Sequence, residues 1–155
     1  MYIFDGAMGT MLQAAGLEEG YCPELFNVER PEVVKNIHAQ YLQHGSDVIT
    51  TNTFGACGLK LEDYDLQDRV KEINIAAVKV AKEAIAEFKP SARVAGSMGP
   101  TGRFLQPLGN MSFDSIYDTY REQAEALIEG GVDFIIIETI IDVQEMRAAL
   151  LASLD

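Results

Sequence analysis

Short apolar runs alternate with longer stretches of helical periodicity along this chain, and the alternation predicts four successive βα units. The strands begin near Tyr2, Asp47, Arg93 and Asp133. Tyr2-Ile3-Phe4, Val48-Ile49-Thr50-Thr51 and Val94-Ala95-Gly96 are short. Phe134-Ile135-Ile136-Ile137 is unbroken, as expected of a parallel strand covered on both faces. Between them, Pro31 suits the first turn of a helix whose apolar positions are Val34, Ile37 and Tyr41, with His44-Gly45 as its stop. A second helix is predicted from about Leu66 to Phe88, with Asp65 as N-cap, the stripe Val70, Ile73, Ala77, Ala81, Ala84 and Phe88, and Pro90 beyond its end. Ser112 caps a third, buried along Ile116, Tyr120, Ala124 and Leu127 and stopped by Gly130-Gly131. Asp142 with Glu145 makes a capping-box-like start for a fourth, whose Ala148, Leu150, Leu151 and Leu154 call for a partner.

A βαβαβαβα order argues for a parallel sheet with helices outside, and four such units make half of an eight-stranded barrel. One internal echo stands out. Gly45-Ser46-Asp47-Val48-Ile49 matches Gly131-Val132-Asp133-Phe134-Ile135, and sliding one onto the other places Asn52-Thr53 over Glu138-Thr139. Alternate strands of a barrel fill the same interior layer, so the two polar pairs are candidates for one shared site.

Every predicted strand ends in a polar or glycine-bearing motif, and parallel α/β folds keep their ligands at the carboxyl ends of strands. The motifs are Asp5-Gly6-Ala7-Met8-Gly9-Thr10, Thr51-Asn52-Thr53-Phe54-Gly55, Gly99-Pro100-Thr101-Gly102 and Glu138-Thr139. Glu138 follows four apolar residues, where a carboxylate needs a specific partner. Asp5 either holds a ligand amine or a buried arginine, or organises its turn. Asn52 and Thr53 offer neutral donors and acceptors, which suit recognition. Gly6 and Gly9 serve backbone conformation or close approach, and the turn at Gly99 offers amides for a carboxylate. No GxGxxG and no Gly-Lys-Ser/Thr is present, so this is not a phosphate loop.

Composition narrows the function. Forty-eight per cent of residues are hydrophobic and 23% charged, and the net charge is −12, from 24 acidic and 12 basic side chains. That balance excludes nucleic acid and anionic membrane surfaces as expected partners. No apolar run has membrane-spanning length and no signal-peptide pattern opens the chain, which reads as cytoplasmic. Cys22 and Cys57 form no CxxC and read as free thiols in a reducing compartment. His38 and His44 read as surface or capping residues of the first long helix.

Together these four motifs, with Ala7-Met8-Gly9-Thr10-Met11-Leu12-Gln13 continuing the first, resemble the homocysteine S-methyltransferase family, and its cobalamin-dependent members most of all. The resemblance covers the whole chain. It implies a (β/α)8 TIM-barrel fold, of which residues 1–155 supply the first four βα units, the N-terminal half of a homocysteine-binding barrel. It implies a methyltransferase that converts homocysteine to methionine, with homocysteine held as a zinc-bound thiolate. Asp5, Gly6, Asn52, Thr53, Gly99 and Glu138 would bind the amino and carboxylate ends. The family's zinc cysteines lie in an Asn-Cys turn and a Gly-Gly-Cys-Cys turn, and neither string is present. Zinc and cobalamin are therefore expected in the full-length family and not tightly on this chain. The partners expected are homocysteine, a C-terminal half-barrel, cobalamin and folate domains, and a second copy of the chain through self-association. The alternative is a non-catalytic half-barrel that binds a small amino acid or a partner chain.

Overall fold

The computed structural model describes all residues, 1–155. Three strands form one parallel sheet in the order β1 (Val48–Thr50), β2 (Arg93–Met98), β3 (Phe134–Ile137). The register pairs Val48 with Arg93 and Ala95 with Phe134. The helices are α1 (Gly9–Ala14), α2 (Phe26–Glu29), α3 (Pro31–Gln43), α4 (Gly58–Leu61), α5 (Val70–Phe88), α6 (Phe113–Gly130) and α7 (Val143–Leu154). The long ones pack in chain order, α3 on α5, α5 on α6 and α6 on α7.

The predicted first strand is corrected. Tyr2–Phe4 makes only an isolated parallel bridge, Phe4 to Val48, although Ile3 accepts from Asp47 N and Val48 N and Val48 accepts from Asp5 N. Three strands and a bridge therefore stand where four strands were expected. This segment has a sheet neighbour on one side only, and its side chains stay exposed. Central β2, with a neighbour on each side, is buried beyond Arg93, whereas β3 is half-buried throughout.

Helix ends follow local chemistry. Pro31 sits in the first turn of α3, Ser112 Oγ accepts from Ser115 N, and Gly131 takes the left-handed φ of 86° that ends α6. The start of the second long helix is corrected. Asp65 is no N-cap; it turns left-handed (φ 58°) after the 3-10 turn Glu62–Tyr64, and α5 begins only at Val70. Its stripe is buried from Val70 to Ala84, but Phe88 is exposed. Asp142 Oδ1 accepts from Gln144 N and Glu145 N as an N-cap should, yet Glu145 does not close a capping box and turns inward instead.

Ile116, Tyr120, Ala124 and Leu127 of α6 join Met98, Ala148 and Ala149 in the largest apolar cluster. Leu150 and Leu154 of α7 face away from it, exposed. The internal echo has a structural basis. Asp47 accepts from Ile3 N through Oδ2 and donates its own N–H to Ile3 O; Asp133 does the same with Val94. Each aspartate fixes the start of its strand against the preceding one. His38, expected on the surface, is fully buried.

Candidate functional site

One cavity of about 370 Å³ opens at the carboxyl ends of the strands, and Gly6, Thr50, Asn52, Ser97, Ile136 and Glu138 are among its walls. Gly6 to Gly9 form one side, and no lysine or arginine lines it. No backbone hydrogen bond uses the N–H of Gly6, Ala7 or Met8. Gly6 lies against Tyr41: an added Cβ would meet the Tyr41 hydroxyl at 3.0 Å, and that hydroxyl donates to Ala7 O at 2.8 Å. A free amide edge is thus held in place by a phenol beneath it.

Across the cavity, Glu138 follows β3 directly and is half-buried. Ser97 Oγ donates to its Oε1 at 2.7 Å, and no donor of the chain reaches Oε2. Asp5 lies behind Thr50, whose N–H and hydroxyl donate to its two carboxylate oxygens at 2.8 and 3.0 Å. Burial outweighs these bonds and, with the charge of Glu138 adding a little, pushes the Asp5 carboxyl up to about 6.

The turn after β1 is clamped from the 22–27 segment. Asn52 Nδ2 donates to Pro23 O at 2.8 Å, Asn27 Nδ2 donates to Asn52 O at 2.7 Å, and Gly55 N donates to buried Glu24 at 2.7 Å. Of the six predicted residues, Gly6, Asn52 and Glu138 line the cavity together and Asp5 adjoins it through Thr50. Thr53 and Gly99 do not line it. Thr53 is fully buried, its hydroxyl donating to Ser97 O at 2.7 Å. Gly99 donates its N–H to Phe54 O at 2.9 Å, and a Cβ there would come within 2.7 Å of the Phe54 ring and carbonyl. Two of the three N–H groups of this turn are taken, Gly99 N by Phe54 O and Thr101 N by Glu145, and Arg103 N just beyond it donates to Thr101 Oγ1. Gly99 is glycine for close approach to Phe54.

Sequence reasoning missed Ser97, Glu145 and Gln123. Ser97 is the one polar side chain inside the apolar run from Val94 to Met98, a signal that was available. Glu145 was visible only as a capping partner; its real partners are Thr101 and Tyr120. Gln123, mid-helix and fully buried, had no local signal.

The donor set does not fit a zinc ion. No group of three His, Cys, Asp or Glu side chains converges anywhere in the chain. The thiol of Cys22 donates to Glu24, and burial pushes both cysteines up to about 12, so each stays a thiol at neutral pH. No helix is long and apolar enough to cross a membrane.

A parallel α/β sheet with its polar cavity at the carboxyl ends of the strands is the arrangement of part of a (β/α) barrel. The homocysteine S-methyltransferase family model matches residues 2–155, and the chain belongs to that family. It is 40% identical to the methionine synthase of Mycobacterium tuberculosis and 38% to that of Mycobacterium leprae, over 96% of this chain but 13% of each of those proteins. It resembles the crystal structure of the Escherichia coli homocysteine methyltransferase MmuM, with a TM-score of 0.81 for the oxidised form and 0.80 for the metallated form, at 27% identity. The match covers 98% of this chain and 58% of the oxidised MmuM chain.

Proposed function

We propose that residues 1–155 form the N-terminal half of a homocysteine-binding (β/α)8 barrel, and that their cavity receives the amino-acid end of homocysteine. The observation that carries this is that one cavity without basic side chains is lined both by Gly6 to Met8, whose amides have no backbone partner, and by Glu138. A zwitterion fits such a site. Its carboxylate takes the amides, and its ammonium takes Glu138 Oε2 with Asp5 close behind. Asn52 supplies a neutral wall, while Thr53 and Gly99 act through the turns they hold.

The activity of the whole protein is then methyl transfer to the homocysteine sulfur, giving methionine. This chain binds and orients the amino acid and does not activate its thiol. A homocysteine bound here keeps an ordinary thiol pKa of about 8.5, so little of it is thiolate at neutral pH. The zinc implied by the family, the cobalamin and the folate are assigned to parts outside residues 1–155. Two buried, unpaired thiols fit a cytoplasmic setting.

Calorimetric titration of the 155-residue chain with L-homocysteine tests the binding reading. Saturable binding is expected, weakened about tenfold or more in Glu138→Gln by loss of a charge-assisted bond. No binding, or equal affinity of the variant, overturns it.

A further inference from the structure

We propose that Ser97 is a positioning residue of this site: its hydroxyl fixes the Glu138 carboxylate so that one oxygen is left to meet the ligand ammonium. The proposal rests on the amino-acid reading above.

Ser97 is the penultimate residue of β2, opposite Ile136 of β3, and is 3% exposed. Its backbone is held at both ends. Ser97 N donates to Thr51 Oγ1 at 3.1 Å. Ser97 O accepts from Thr53 Oγ1 at 2.7 Å and, more weakly, from Gln123 Nε2 at 3.5 Å. Thr51 and Thr53 are joined through their hydroxyls at 2.6 Å, and Gln123 Nε2 also donates to Thr53 O at 2.8 Å. Asn74 of α5, within 3.4 Å of Gln123, donates to Ala56 O at 2.9 Å and so ties the same turn to that helix. All of Thr51, Thr53, Asn74 and Gln123 are buried.

The consequence is a hydroxyl whose position is set before any ligand arrives. With both backbone groups engaged, Ser97 Oγ has one carboxylate in reach, Glu138 Oε1 at 2.7 Å. Glu138 itself is anchored by its N–H to Met98 O at 3.0 Å, the residue after Ser97. The two residues are thus tied through backbone and side chain, and the acid cannot swing without breaking the 2.7 Å bond from Ser97 Oγ. A serine suits this position. Alanine removes the donor and leaves the carboxylate without its only bond from the chain. Ordering the carboxylate in advance reduces the entropy lost when the ammonium binds.

The test is a double-mutant cycle in the 155-residue chain, read by calorimetry with two probes, L-homocysteine and 4-mercaptobutanoate, which lacks the amine. Ser97→Ala is expected to weaken L-homocysteine about fivefold to tenfold and to leave 4-mercaptobutanoate unchanged. In the Glu138→Gln background the same substitution is expected to change L-homocysteine binding less than twofold, because the carboxylate it positions is gone. A merely structural role would weaken both probes, or weaken homocysteine equally in both backgrounds, and either result overturns the proposal. So does unaltered binding of L-homocysteine by Ser97→Ala while the unsubstituted chain binds it; the amino-acid reading then stands. If the unsubstituted chain binds neither probe, that reading fails and this inference falls with it.

Discussion

Asp5 and Thr50 are joined twice, the Thr50 N–H donating to Oδ2 at 2.8 Å and its hydroxyl to Oδ1 at 3.0 Å, so both oxygens of a largely buried carboxylate are spent on one residue of the neighbouring strand. Burial still dominates and moves the carboxyl from 3.8 to about 6. Between those values the folded chain keeps a proton that the unfolded chain has lost. Stability from this group is therefore greatest below about pH 4 and falls as pH rises to about 6. Asp5→Asn should gain stability relative to the unsubstituted chain at pH 7.5 more than at pH 4. Urea unfolding at the two pH values checks it, and a difference independent of pH would contradict it.

His38 carries the opposite slope. It is wholly buried, neither ring nitrogen has a partner, and burial pushes it down from 6.5 to about 4. The folded chain refuses a proton that the unfolded chain accepts. The contribution is present above pH 6.5 and is lost as pH falls towards 4, by about 3 kcal/mol in all. Because the window overlaps that of Asp5, the clean measurement is in Asp5→Asn. Adding His38→Leu there should flatten the loss of stability between pH 6.5 and 4.5. An unchanged acid slope would assign it to other groups.

Glu145 should matter to stability more than a first-turn glutamate usually does. Its Oε1 accepts from Thr101 N at 2.8 Å, Thr101 Oγ1 at 2.7 Å and the Tyr120 hydroxyl at 3.0 Å, and the residue is 4% exposed. Glu145→Ala leaves both Thr101 donors without an acceptor, while the Tyr120 hydroxyl keeps Gly99 O at 3.0 Å, and should cost about 3 kcal/mol, whereas Glu145→Gln, keeping one oxygen, should cost about 1 kcal/mol. Thermal unfolding separates the two. A loss below about 0.5 kcal/mol for the alanine variant would mean that water replaces the carboxylate.

The chain should self-associate. Tyr2, Ile3 and Phe4 are exposed beside β1, Ile141 and Val143 are exposed at the start of α7, and Leu154 is exposed at its end. Such apolar surface beside an unpaired sheet edge favours pairing with another chain. Sedimentation is expected to give a dimer or larger species, shifted towards monomer by Ile3→Lys with Leu154→Lys. A compact monomer of the unsubstituted chain would contradict this.

Features that depend on near neighbours were legible before any fold was known. Pro31, Ser112, Asp142 and Gly131 mark helix ends because their constraints act within a few residues, and the stripe of α6 is written in its own periodicity. Placing Asn52 and Glu138 after apolar strands was enough to predict that they face one cavity, since parallel strands bring their carboxyl ends to one side. Which polar groups were already occupied emerged from long-range packing alone. Gly99 looked like a free amide until Phe54 O took it, and Glu145 looked like half of a local cap until Thr101, 44 residues away, claimed it. Ser97 meets Glu138 across 41 residues, and the full burial of His38 has no signal in its local pattern. Tyr2–Phe4 has the composition of a strand but makes only a bridge to Val48, with its side chains left exposed beside β1. Hydrogen-bond capacity is finite, and which partner fills it is settled by packing between distant segments.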